Sequence, residues 1–436
     1  MGNEFAPTDW VSAILTSPPA AGNSGTLIKN SVTMLQPSPP APPAGNQQVE
    51  FSIIMPCLNE AETLEVCIRK ALGFLQEHRI SGEVVVGDNG STDGSQEIAR
   101  RCGARVVNVP VRGYGAALYY ATLDCRGRYA IMGDSDDSYD FTDLMPFIEK
   151  LRQGYDLVMG NRFLGGIKPG AMPWKNRYIG NPILSAIGRL LFHCPAKDFH
   201  CGLRGYSIEG FGKMDLQTTG MEYASEMVIK STLLGLKIAE VPTTLSPDGR
   251  SRPPHLRPWR DGWRHLRFML LFSPRWLFLV PGLLLILLGS AMGAVLLGGP
   301  VTVFSLRLDV HSLLYCAAAV EIGFQAIAFA VFAKVYAISN GLLPADPRLS
   351  RLFRIITLEV GVICGLVLLM AGLAGSVAAL LWWRSTGYGA LDVDRVLRLV
   401  IPSIFAITLG FEITLSSFFL SVLGLGTRRD DRDRRP

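Results

Sequence analysis

The chain is predicted to fold as an α/β domain with a mostly parallel sheet, followed by an all-α membrane domain of four transmembrane helices. Three observations carry that expectation. Short apolar runs alternate with helical patterns between Glu50 and about residue 246, at the spacing of right-handed crossover units. Four apolar runs of more than twenty residues follow Arg275, each long enough to cross about 30 Å of hydrocarbon. A mean hydropathy of +0.27 over 436 residues is too apolar for a chain soluble throughout, and nearly all the excess lies after Arg275.

Residues 1–48 are rich in Pro, Ala, Ser, Gly and Asn, a composition that cannot bury enough apolar surface to order itself. A disordered tail is expected there. Without a basic n-region or a continuous apolar stretch, no cleavable signal is expected. The eight cysteines include no Cys-x-x-Cys pair and no Cys/His metal spacing; Cys57, Cys67, Cys102 and Cys125 fall in apolar patterns and read as reduced core thiols of a cytosolic domain.

The α/β domain is expected to span 49–246. Phe51 to Pro56 is a strand and Cys57 to Thr63 the turn after it; Leu64, Cys67, Ile68, Ala71, Leu72 and Leu75 then share one helix face. Glu83 to Asp88 is a second strand, Asn89 to Gly94 a tight capping loop, and Ala104 to Val109 a third strand. Gly113 opens another helix, and Tyr129 to Met132 is a strand that delivers Asp134 and Asp136 at its end, with Asp137 and Asp140 close behind. A lone Asp-x-Asp is more often a solvated acidic turn. Two carboxylates one residue apart on such a bend also suit Mg²⁺ or Mn²⁺, with water and a substrate diphosphate in the remaining positions.

Ligands of parallel sheets bind at the carboxyl ends of the strands, and the other polar clusters lie there too. Asn59 and Glu60 end the first strand; Asp88 and Asn89 end the second. Such groups suit a nucleobase and the hydroxyls of a ribose. Gly113 and Gly115, beside Arg112, let backbone N–H groups approach a phosphate. Each cluster alone is an ordinary cap or helix start, so the conjunction carries the inference.

Pro56-x-x-Asn59-Glu60, Asp88-Asn-Gly-Ser-Thr-Asp-Gly94, Arg112-Gly-x-Gly115 and Asp134-Ser-Asp136 resemble the nucleotide-sugar-binding motifs of family 2 glycosyltransferases, which have a Rossmann-like GT-A fold. Within that family the chain is most similar to polyprenyl-phosphate sugar synthases of the dolichyl-phosphate mannose or glucose type, over about residues 50–275. The resemblance implies a donor site of Pro56, Asn59, Glu60, Asp88, Asn89, Gly113, Gly115, Asp134, Ser135 and Asp136. It implies that Asp134 and Asp136 bind the metal, with Ser138 standing where mannose synthases often have Gln as a further ligand. Asn89 replaces a second Asp of many relatives. On the acceptor side it implies that Arg162, Arg177 and Asn181 hold a lipid phosphate and that Arg204 shapes the same pocket; guanidinium groups give phosphate two fixed hydrogen bonds. Glu222 and Glu226, one helical turn apart, read as loop-ordering, because a lipid phosphate with a second pKa of roughly 6 needs no general base. His200 and His255 read as structural.

Residues 247–275 carry a basic run with interleaved tryptophans immediately before the first apolar span. In that position it reads as an interfacial segment for anionic headgroups, not a nucleic-acid site. The membrane domain is expected at 276–426, with spans at about 276–298, 312–337, 355–383 and 396–425, and a charged tail at 427–436. Glu321, Glu359 and Glu412 are expected to face other helices or water. Arg348, Arg351, Arg354 and the tail put the catalytic domain and the C-terminus on the cytoplasmic side of the inner membrane. The expected partners are a UDP- or GDP-linked sugar, a polyprenyl phosphate and the membrane; membrane helices also allow a homo-oligomer. Two other readings of the chain stand beside this one. A processive polysaccharide synthase carries Gln-x-x-Arg-Trp, and Ser273-Pro-Arg-Trp276 lacks the Gln. A catalytically dead membrane scaffold has no need of an intact Asp134-x-Asp136.

Overall fold

Apolar runs buried on both faces build the sheet. In the computed structural model β1 (Phe51–Cys57) sends Phe51, Ile53 and Met55 into one core layer and Ile54 into the other, as the two-residue period of a strand requires. The described residues are 49–251, 258–339, 343, 346–347, 349, 351, 353 and 357–423. The expected tails 1–48 and 427–436, the junction residues 252–257 with His255, and Arg348 and Arg354 lie outside them.

After β1 come α1 (Leu64–Glu77), β2 (Gly82–Asp88), α2 (Ser95–Arg101), β3 (Arg105–Asn108), α3 (Tyr114–Leu123), β4 (Tyr129–Met132), α4 (Met145–Arg152), β5 (Leu157–Asn161) and α5 (Arg162–Gly165). A wide helical turn, Asn176–Gly180, runs into α6 (Asn181–Phe192), followed by β6 (Arg204–Ser207), α7 (Ile208–Met214), α8 (Tyr223–Leu233), β7 (Ile238–Pro242) and α9 (Pro258–Leu271). The sheet order is β3-β2-β1-β4-β6-β5-β7. Neighbours are parallel except β6, which runs antiparallel to β4 and β5. The expected parallel sheet is therefore interrupted once, by a strand too short to show a pattern in the sequence.

α1 covers one face with Leu64, Cys67, Ile68, Ala71 and Leu75. α3 and α8 cover the other, through Leu118, Ala121, Met227 and Val228. With both faces covered, the strands read as continuous apolar runs rather than alternating ones.

Four helices long and apolar enough to cross a membrane follow: Arg275–Leu297, which contains α10 (Val280–Leu297), α11 (Val310–Ser339), α12 (Leu358–Ser385) and α13 (Val393–Leu423). An unexpected hairpin, β8 (Val301–Val303) and β9 (Leu306–Leu308), joins the first two. Glycines bring the helices close. A Cβ added at Gly282 would lie 2.7 Å from the Gly323 carbonyl, and one at Gly365 would lie 2.6 Å from that of Gly410, so α10–α11 and α12–α13 approach through small residues. Glu412 is reached from α11 by the Gln325 amide at 3.2 Å.

Candidate active site

The register Cys57–Asp88 and Ile54–Met132 aligns the carboxyl ends of β1, β2 and β4, so the donor-side residues meet at one sheet edge. Asp88 is 2% exposed. Its carboxylate accepts from the N–H groups of Gly90 and Ser91 and from the Gln96 amide at 2.6 Å, which fixes the loop into α2. Asn59 stands at φ 59, a left-handed conformation that Asn tolerates, and its side chain accepts from the Thr92 N–H at 2.8 Å. Asn89 explains its own departure from Asp: its amide donates to the Val111 carbonyl and accepts from the Gly113 N–H, both at 2.8 Å. A carboxylate would lose the first of these bonds. Gly113 has φ 145, and a Cβ there would meet the Thr219 carbonyl at 2.1 Å, so only glycine fits.

Asp134 accepts from the Tyr114 hydroxyl at 2.9 Å. Burial, with the adjacent charge of Asp136, pushes its carboxyl up to about 6 against that bond. A Cβ on Gly202 would lie 2.7 Å from Asp134 Oδ2, so the chain leaves that oxygen its room. Asp136 Oδ1 accepts from the Ser138 N–H at 3.1 Å and from the Ser138 hydroxyl at 2.6 Å. Asp136 Oδ2 accepts from Arg250 Nη2 at 2.6 Å. Arg250 Nη1 reaches Glu60 Oε1 at 3.1 Å, and Nη2 also donates to Asp248 Oδ2 at 3.2 Å. Among the described residues no group of three or more His, Cys, Asp or Glu side chains is arranged to hold a metal ion. Asp134 and Asp136 would thus supply two ligands, which fits Mg²⁺ or Mn²⁺ in a site completed by diphosphate and water.

Several expectations need correction here. The Ser138 hydroxyl points its proton at Asp136, so it orients a carboxylate rather than standing as an independent ligand. The Ser135 hydroxyl donates to the Pro56 carbonyl at 2.6 Å, and the Ser135 carbonyl accepts from Thr63 at 2.7 Å. Both positions stitch β1 to the turn after β4. Arg204 is fully buried, and its guanidinium donates to the carbonyls of Cys201, Ala224 and Phe199. It cannot meet an acceptor phosphate, because no nitrogen is left to reach solvent.

Arg162 is also largely buried. Nε and Nη2 donate to the Asp198 carboxylate at 2.7 and 2.8 Å, while Nη1 makes no hydrogen bond among the described residues. Arg177 lies in the turn before α6, stacked over Tyr178 at 5.5 Å, and Asn181 opens α6 with its amide on Met172 Sδ. Glu226 is fully buried. It accepts from the N–H groups of Gln217 and Thr218 and pairs with Lys230 at 2.9 Å, so it holds the loop whose Thr219 carbonyl receives the Ala116 N–H. Glu222 Oε2 is buried without a partner. The residues missed in the sequence are Tyr114, Asp248 and Arg250. Arg250 fell in the basic run assigned to the membrane surface. The Asp248-Gly249 pair, a few residues after the last strand of the large sheet, was the available signal.

α6 and α9 pack against each other and keep apolar rings outward. Trp174 is 62% exposed, Tyr178 68% and Ile183 53%; Trp263 and Leu271 on α9 are both 58%.

A family model described as glycosyl transferase family 2 matches residues 52–214. One described as the glycosyltransferase family 2 C-terminal transmembrane region matches 331–424. The low-salt glycan biosynthesis hexosyltransferase Agl6 of Haloferax volcanii is 36% identical over 376 residues, covering 86% of this chain and 89% of that protein. A dolichyl-phosphate hexose transferase of the same organism is 31% identical over 44% of this chain and 81% of its own length. Among solved structures, glucosyl-3-phosphoglycerate synthase from Mycobacterium tuberculosis with Mn²⁺, UDP and glucosyl-3-phosphoglycerate aligns with a TM-score of 0.39 at 24% identity. It covers 51% of this chain and 77% of that one.

Proposed function

The chain belongs to glycosyltransferase family 2, and from that premise we propose that it transfers one sugar from a nucleoside-diphosphate sugar to a membrane polyprenyl phosphate. The observation that carries this reading is the seam between domain and membrane. α9 ends at Leu271 and the first span begins at Arg275, while α6, which packs on α9, has Arg177 and Asn181 at its start. An acceptor held there is anchored in lipid. The exposed stripe of α9, Arg260, Trp263, Arg267 and Leu271, has the mixed basic and apolar character of a helix lying at a headgroup layer.

Asp88, Asn59 and Asn89 shape the nucleoside end by fixing the loops around it. A divalent ion held by Asp134 and Asp136 would neutralise charge on the departing diphosphate. Ser138 and Tyr114 hold those two carboxylates in place, and the N–H groups that open α3 face the donor phosphates. Arg177 and the free Nη1 of Arg162 hold the acceptor phosphate in line with the anomeric carbon. Its oxygen forms the new glycosidic bond as the bond to the diphosphate breaks, so the anomeric centre inverts.

The positive-inside rule supports a cytoplasmic site, from Arg351 in the segment between α11 and α12 and from the arginine-rich sequence that follows α13. The test is transfer of radiolabelled sugar from UDP- and GDP-sugars to a short polyprenyl phosphate by the reconstituted chain. Label in the butanol phase, abolished by EDTA, is the expected result. Label that ignores the chelator removes the metal from the reading, and label found only in polymer removes the lipid acceptor.

A further inference from the structure

We propose that Arg250 is an internal counter-ion of the donor-free enzyme: its guanidinium occupies Asp136 until a metal–nucleotide pair arrives, then transfers to the donor diphosphate. The inference rests on the metal-assisted reading above. It starts from the way both oxygens of Asp136 are committed, Oδ1 to Ser138 and Oδ2 to Arg250. A metal ion ligated by Oδ2 at about 2.1 Å would lie roughly 4–5 Å from the guanidinium. Two like charges at that range repel strongly at the effective dielectric of a protein surface. Arg250 must therefore release Asp136 for the ion to bind.

The segment that carries Arg250 is pinned across the site rather than hanging free. The Gly249 N–H donates to the Asp136 carbonyl at 2.9 Å. The Ser251 N–H and hydroxyl donate to the Glu62 carboxylate at 2.7 and 2.6 Å. Among the described residues Arg250 Nε is buried with no hydrogen-bond partner, so the guanidinium is held among Glu60, Asp136 and Asp248 with donor capacity unused there. A diphosphate gives the displaced fork a bidentate acceptor. Metal and nucleotide should consequently bind with strong positive coupling, which is reciprocal by thermodynamic necessity.

The experiment is Mn²⁺ binding, followed by the free-ion paramagnetic resonance signal, to the full chain in detergent with and without UDP or GDP. Without nucleotide, Arg250→Gln should bind Mn²⁺ at least tenfold more tightly than the unsubstituted chain. Nucleotide should then strengthen Mn²⁺ binding at least tenfold less in the variant than in the parent. Arg250→Lys keeps the charge and should match the parent. Glu62→Ala, which frees Ser251 without touching the carboxylate cluster, should tighten nucleotide-free Mn²⁺ binding a few-fold, and it keeps the test open should Arg250→Gln fail to fold. Equal or weaker Mn²⁺ binding in both Arg250→Gln and Glu62→Ala overturns the proposal. If no form binds Mn²⁺ even with nucleotide present, the metal-assisted reading fails with it.

Discussion

The donor half of the site and the acceptor half are assembled by opposite means. At the ends of β2 and β4 two carboxylates accept from backbone N–H groups two or three residues on, Asp88 from Gly90 and Ser91 and Asp136 from Ser138. In the acceptor half the guanidinium groups are consumed by buried partners. Arg162 meets Asp198, whose N–H is held by Glu240, and Arg204 meets the carbonyls of Cys201, Phe199 and Ala224. Local turns leave a carboxylate free to change partners. Long-range buried pairs do not, because an orphaned buried charge costs several kcal/mol. On the proposed reading the donor end is the half that exchanges ions, and the buried acceptor pairs stay paired.

The largest effect that tests this contrast is loss of chemistry without loss of fold. Asp134→Asn and Asp136→Asn should each lower sugar transfer by about a thousandfold or more, on the order of 4 kcal/mol of barrier, with unfolding temperatures at or above the parent's. A variant that melts early would put the donor carboxylates in the frame and erase the distinction. The converse follows for Asp198→Asn. Removing one partner of a buried pair costs about 3 kcal/mol, so this variant should show a lowered unfolding midpoint and little soluble protein. Normal stability with lost activity would move Asp198 from the frame to the chemistry.

That contrast also decides what could be read from the sequence. Asn59, Glu60, Asp88, Asp134 and Asp136 were legible because a strand followed by a turn is a local signal, and the parallel topology then brings the ends together. Strands β1 to β4 and the four spans came from apolar runs for the same reason; the short antiparallel β6, the last strand β7 of the sheet and the β8–β9 hairpin did not. Arg162 and Arg204 were visible as arginines, but nothing near Arg162 announces Asp198, 36 residues on, and a carbonyl carries no side-chain signal of the donors that Arg204 gives to Cys201, Phe199 and Ala224. Arg250 lies 114 residues from Asp136, and its basic neighbours pointed to the membrane. Charge type is written locally; the partner that uses it is not.

A smaller effect separates the one acceptor arginine that no carboxylate engages. Arg177 touches the Tyr178 ring, so Arg177→Ala should fold normally and raise the KM for polyprenyl phosphate about tenfold, worth about 1.4 kcal/mol. The KM for the nucleotide sugar should not move. Lys at the same position should recover part of the loss, since it restores charge but not the fork. Equal increases in both constants would mean that Arg177 serves the donor, and the division of the site into halves would need redrawing.

The smallest effect is a difference in pH response between the halves, measured by thermal unfolding in EDTA at pH 5.5 and 7.5. His200 lies in the acceptor frame with both ring nitrogens buried and unpartnered. Burial, then His265 and the charges of Arg204 and Arg162, holds it well below the ordinary histidine value. The unfolded chain takes up that proton below about pH 6.5 and the folded chain does not, so stability falls with falling pH. At pH 5.5 the loss approaches about 1.4 kcal/mol, and His200→Gln should abolish it. Asp134 runs the other way. Its folded carboxyl is raised to about 6, so stability is lost as pH rises from about 4 through 6, and Asp134→Asn should gain most over the parent at pH 7.5. If the two variants respond to pH in the same direction, the charges of the two halves are not held as the geometry implies.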